Sequence, residues 1–109
     1  MPKYLVQANY TADGVKGLRT DKASGRVEML KHAVEHIGGK LEVFYWAFGE
    51  HDAIAIIDAP DNVKAAALSM AAASSGHLRL HTTPLMTAAE VDQALAEEVS
   101  YRPGGLGRR

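Results

Sequence analysis

Apolar and polar positions alternate from the start of the chain. Between Lys3 and Tyr10, Tyr4, Val6, Ala8 and Tyr10 fall on one face and Leu5, Gln7 and Asn9 on the other, which predicts a strand. The period then changes. Thr11-Ala12-Asp13-Gly14 is a turn cluster that opens a short helical piece ending near Thr20. Ala23, Val27, Leu30, Val34 and Ile37 then recur at spacings of three and four, predicting a longer helix from about Asp21 to Ile37. Gly38-Gly39 stops it, because glycine accepts the left-handed conformation that ends helices.

Alternation returns in the stretch LEVFYWAFGEHDAIAIIDAPD. A second strand is predicted from Lys40 to Phe48, with Leu41, Val43, Tyr45 and Ala47 opposite Glu42, Phe44, Trp46 and Phe48. Apolar groups on both faces indicate that both are covered, at least in part. Gly49-Glu50 reads as a tight hairpin, with Gly49 in an unusual backbone conformation. A third strand, His51 to Asp58, sets Ile54 and Ile56 opposite Ala53, Ala55 and Ile57. Pro60-Asp61 opens a second helix, capped by Asp61, through the alanine-rich run Val63 to Ala73, and Ser74-Ser75-Gly76 ends it. A fourth strand runs from His77 to about Pro84, with His77, Arg79 and His81 opposite Leu78, Leu80 and Thr82. Thr87-Ala88-Ala89-Glu90 is a capping box that starts a third helix, reaching about Val99.

The resulting order, β-α-β-β-α-β plus a helix, predicts an α+β, ferredoxin-like domain over residues 1–100, with a flexible basic tail at 101–109. Such a sheet carries both main helices on one face. The two-sided second strand argues that the other face is also covered, by a sheet-on-sheet homodimer of the dimeric α/β-barrel type. The competing arrangement is a monomer whose third helix folds back over that face.

Composition narrows the classes. At 109 residues the chain is one domain, and 47% hydrophobic content supports a packed core. Twelve basic and 13 acidic side chains give a net charge of −1, which provides no field for nucleic acid. No apolar run approaches the roughly 20 residues that span a bilayer, and the strand-like start leaves no signal peptide, so a cytoplasmic location is the default. The absence of cysteine excludes disulfides and thiolate chemistry.

Three segments carry a resemblance: MPKYLVQANYTADGVKGL with Arg26, then IGGKLEVFYWAFGEHDAIAIIDAPDNVKAAAL, then TTPLMTAAEVDQAL. Together the chain resembles the GYD domain family over roughly Pro2 to Leu95. The name-giving element looks like Gly49-Glu50-His51-Asp52, with His51 where the family's tyrosine usually stands. The resemblance implies a dimeric α/β-barrel type of association and no established activity. The hairpin also looks like the effector-binding domains of leucine-responsive regulators, which bind small metabolites near oligomer interfaces; no helix-turn-helix segment accompanies it here.

Candidate chemistry is sparse. Gly49 and Asp52 read as a structural turn, with the Asp52 carboxylate accepting backbone N–H groups. His51, His77 and His81 are candidate general bases; catalytic residues are otherwise unknown, and the competing reading is a hydrogen-bonded sheet histidine. His77 and His81 stand roughly 13 Å apart on one strand, too far to share a metal, though either can pair with a histidine of another strand. His32 and His36, four apart on the first helix, make only a weak HxxxH signal on a solvated face, so no metal site is expected. Tyr10, Trp46, His51, Arg79 and His81 are the candidate lining of a small-molecule pocket, with Arg79 as an anion contact. Arg26 is a candidate partner for Glu50 or Asp52. The cofactor is unknown; the partners expected are a second copy of the chain and a small ligand, with no nucleic acid and no membrane. The leading expectation is a homo-oligomeric small-molecule-binding module with a cavity at the sheet face or subunit interface. The alternatives are a cofactor-independent monooxygenase- or isomerase-like enzyme, by fold analogy alone, and a structural assembly module.

Overall fold

A computed structural model of the protein describes residues 1–105. Strand β1 is Lys3–Tyr10, followed by α1 (Ala12–His36), β2 (Lys40–Trp46), β3 (Ala53–Asp58), α2 (Asn62–Ala73), β4 (Leu78–Leu85) and α3 (Ala88–Ala96). The architecture is α+β: one four-stranded sheet in the order β2-β3-β1-β4, every neighbour antiparallel, and three helices. Of the tail expected at 101–109, residues 106–109 lie outside the described residues, and 101–105 form neither helix nor strand.

Local chemistry sets the element ends. The Thr11 hydroxyl accepts the Gly14 N–H at 3.1 Å and caps α1. The two helical pieces read from the sequence meet in α1 at Lys22, whose φ of 65° and ψ of 164° break the helical path. Gly38 ends α1 with φ at 87°, the left-handed value that glycine takes without cost. A Cβ on Gly39 would collide with the Asp58 carbonyl, so only glycine lets α1 descend this close to the sheet. Asp61 caps α2 by accepting the Lys64 N–H at 2.8 Å. Thr87 and Glu90 close a reciprocal capping box on α3.

The core lies between the sheet and α1 and α2. Tyr4 and Val6 of β1 with Ala55 and Ile57 of β3 meet Val34 of α1 and Ala65 of α2. Ile57 and Val34 are wholly buried; full burial of such a side chain contributes about 1.5–3 kcal/mol. Alanine at positions 53, 55 and 65 lets the helices ride low on this face. At its edge the Tyr4 hydroxyl donates to Asn62 Oδ1 at 2.6 Å.

Three expectations are corrected. Leu41 pairs with Ile57 and Val43 with the next residue, Ile56, so β2 carries a β-bulge at Glu42. The extra residue flips the alternation: Leu41, Phe44 and Trp46 all pack on the helix side, while Val43 and Tyr45 turn to the opposite face. Lys3 Nζ bridges the bulge, 2.7 Å from Glu42 and 2.8 Å from Asp58. Second, β2 ends at Trp46 and β3 begins at Ala53, so the connection is a six-residue turn, Ala47 to Asp52, closed by Ala47 N–H to the Asp52 carbonyl at 2.9 Å. Gly49 does not adopt a positive φ there and has open space around its Cα; side-chain and backbone bonds of Asp52, not a glycine conformation, shape the turn. Third, α3 stops at Ala96, short of Val99.

The sheet face opposite the helices is uncovered, because α3 does not fold back onto it: every residue of α3 is exposed. The molecule is correspondingly long, 64 Å against 29 and 23 Å across, and its radius of gyration of 18.0 Å exceeds the ~13 Å of a compact chain this size. No helix among the described residues is long and apolar enough to cross a membrane.

Candidate functional site

Helices α1 and α2 splay apart over the sheet and leave a cleft between them. Its floor is Ala8, Phe44, Ala55 and Leu80 of the strands, and its walls are Leu30 and Ala33 of α1 and Leu68 and Ala72 of α2. The volume is about 410 Å³, within the ~300–1,000 Å³ of small-molecule sites. Tyr10 closes one end. Trp46 stands behind it, its ring centroid 5.7 Å from Tyr10 and 5.1 Å from Phe44, so three aromatic rings form a continuous tilted stack at this end.

Polar groups are few. Arg26 of α1 borders the cleft, 3.6 Å from Asp21 and bonded to the Met29 sulfur at 3.1 Å. Its acidic partner is thus on its own helix, rather than the Glu50 or Asp52 expected from the sequence. The Ser69 hydroxyl bonds to Thr82 at 2.7 Å. His77 precedes β4 and lines the cleft, so the strand alternation that grouped it with Arg79 and His81 fails one residue before the strand starts. Its carbonyl accepts the Thr11 N–H at 2.9 Å and abuts Gly14, where a Cβ would collide with it.

The five residues grouped from the sequence therefore divide between two sites. Tyr10 and Trp46 sit on the helix side. His51, Arg79 and His81 belong to the open face, where Arg79 pairs with Asn9 and His81 with Gln7 in the β1–β4 register. There His51 and His81 come together, ring centroids 5.7 Å apart, and His51 Nδ1 lies 2.9 Å from Asn9 Oδ1. Asp52 has the structural role expected of it: its carboxylate accepts the Tyr10 N–H at 2.8 Å and its own N–H donates to the Ala8 carbonyl. His32 and His36 are exposed on α1, with His32 3.9 Å from Glu28. Among the described residues no three His, Asp or Glu side chains cluster as metal ligands. Arg26, Leu30, Leu68 and Leu80 were not read as lining residues. Arg26 was read as an ion-pair partner, and the leucines carried only helical or strand spacing, which marks core positions equally well.

The rest of the open face is apolar at its centre. Across all four strands Val43, Ile56, Leu5 and Thr83 stand in one register row, and Tyr45, Ile54, Gln7 and His81 in the next.

The chain is thus an α+β domain, a four-stranded antiparallel sheet with an apolar cleft under two helices and a bare opposite face. The model of the GYD domain family matches residues 4–95, and the chain belongs to that family. No curated protein and no solved structure matches it.

Proposed function

We propose that this protein is a homo-oligomeric small-molecule-binding module of ferredoxin-like topology. The observation that carries the reading is the helix-side cleft: about 410 Å³, walled by leucine and aromatic side chains, with the Arg26 guanidinium at its border. That lining suits a largely apolar ligand bearing one carboxylate, the apolar part against Leu30, Leu68 and Leu80 and the anion toward Arg26. The strand order supports the ferredoxin-like assignment. The apolar row of the open face supports sheet-on-sheet pairing of two copies in the manner of dimeric α/β barrels, since exposed apolar sheet surface of this kind is normally covered. The monooxygenase- or isomerase-like alternative has less behind it: the cleft lining contains no carboxylate, and His77 is its one imidazole.

Trp46 is the single tryptophan and abuts Tyr10, which makes it an internal reporter of the cleft. Titration with decanoate or phenylacetate should change Trp46 emission saturably and raise the melting temperature. Ala72→Phe, which fills the cleft, should abolish the response, and Arg26→Met should weaken binding about tenfold, the scale of one lost charge-assisted hydrogen bond. An unchanged Trp46 signal with both probes, together with an unchanged melting temperature, would remove the binding reading. A monomer by sedimentation at micromolar concentration would remove the paired sheets.

A further inference from the structure

The open face brings together two histidines that lie 30 positions apart in the chain, one in the β2–β3 turn and the other on β4. Asn9 decides the state of one of them. Its side chain bonds to the Glu50 carbonyl at 2.7 Å. A carbonyl only accepts, so the Asn9 atom facing it is the Nδ2 donor, and the Oδ1 acceptor is turned toward His51. His51 Nδ1, 2.9 Å from that oxygen, must then carry the hydrogen. In the neutral ring this leaves Nε2 of His51 with its lone pair available, the arrangement by which an outer hydrogen bond orients a metal-binding imidazole.

His81 stands beside it. The two ring centroids are 5.7 Å apart with the planes at 62°. Two imidazoles that share one ion, each at about 2.0–2.1 Å through a ring nitrogen, have centroids roughly 5–6 Å apart. We propose that His51 and His81 form a two-imidazole site for a borderline divalent transition ion such as Zn²⁺, with water completing the coordination. Imidazole nitrogen suits zinc, nickel and copper, and not magnesium or calcium. Asn9 is a positioning residue that holds His51 from behind. Arg79, on the same strand face as His81, supplies no ligand atom. This goes beyond the sequence expectation of no metal site, which allowed that His81 could pair with a histidine elsewhere but could not say which. It is independent of the ligand proposed for the helix-side cleft, which lies on the other side of the sheet.

The experiment is calorimetric titration of the untagged full-length protein with zinc chloride, paired with nitrogen-15 NMR of the histidine rings without metal. Zinc should bind at one ion per chain, or one per two chains if a second copy shares it. His51→Ala and His81→Ala should each weaken binding at least tenfold. Asn9→Leu should weaken it between about ten- and a hundredfold, the range for lost outer-shell partners. His32→Ala with His36→Ala should leave it unchanged. His81→Gln serves as a second variant should His81→Ala perturb folding. In the metal-free protein, His51 should carry its hydrogen on Nδ1. Absence of zinc binding, binding lost with the α1 histidines but retained in His51→Ala, or a metal-free His51 protonated on Nε2 would each overturn the proposal.

Discussion

The two faces of the sheet are built from the same strands and have opposite fates. Ile57 is wholly buried beneath the helices, whereas its neighbour Ile56 points to the bare side, in a row with Val43 at 37% exposure. Tyr4 is 2% exposed on the first face; Tyr45 is 69% exposed on the second. Identical side chains one residue apart thus perform different work. The helix-covered face holds the fold together, and the open face is free to meet something else. Polar chemistry is divided the same way, with Arg26 at the cleft and the His51–His81 pair on the open side.

Substitution at the two isoleucines puts this division to its hardest test. Ile57→Ala should cost about 2–5 kcal/mol, as for other fully buried aliphatic residues, seen as a lower denaturant midpoint with an unchanged slope. Ile56→Ala should cost much less at low protein concentration. If two copies pair through the open face, the deficit of Ile56→Ala should grow as concentration rises, because stability of an associated state depends on protomer concentration. Equal and concentration-independent losses at both positions would erase the distinction between the faces.

Smaller effects belong to the margins of both faces. Every residue of α3 is exposed, so its N-terminal box should matter locally and not globally. The Glu90 carboxylate is held below the usual carboxylate range, first by the Thr87 backbone N–H and then by the Thr87 side chain. A depressed carboxyl group stabilises above its unfolded pKa and loses that contribution as pH falls through the folded one. Acidification through that lowered pKa should therefore raise amide exchange at the start of α3 while the global midpoint follows the rest of the protein. Thr87→Ala should produce the same local exchange at neutral pH.

The smallest effect is expected at Lys3. Its ammonium is held above the usual lysine range, by Asp58 first and Glu42 second. A raised group contributes fully below its unfolded pKa, and the contribution fades as pH rises through the folded one. These side chains are partly exposed, so Lys3→Met should shift the midpoint only slightly at neutral pH, and less still in high salt. A large loss would mean that the bulge at Glu42 depends on this ion pair, and that the faces of β2 are set by Lys3 as well as by packing.

Much of this organisation was legible. The switch from a period of two to one near 3.6 marked every strand and helix in order, and Thr11, Asp61 and Thr87 announced three helix starts. The break in α1 was readable as a short helical piece ending near Thr20, followed by a separate apolar stripe from Ala23 to Ile37. The bulge was not, because alternation carries no sign of one extra residue. For the same reason Phe44 and Trp46 were paired correctly with each other but set opposite Leu41. The candidate site was legible only as a set of residue types. Tyr10 and Trp46 did meet, and so did His51 and His81, but a strand pattern cannot say which face receives the helices.

By itself, then, the sequence determined the element order, the helix caps and the glycine stop at Gly38, since each depends on neighbours along the chain. The tertiary structure alone decided what depends on distant neighbours. Pairing of β1 with both β3 and β4 brought His51 to His81, the bulge at Glu42 turned Leu41 inward, and the splay of α1 and α2 opened the cleft. Register and packing are set by the total burial of many side chains at once, and no local segment of the chain contains that sum.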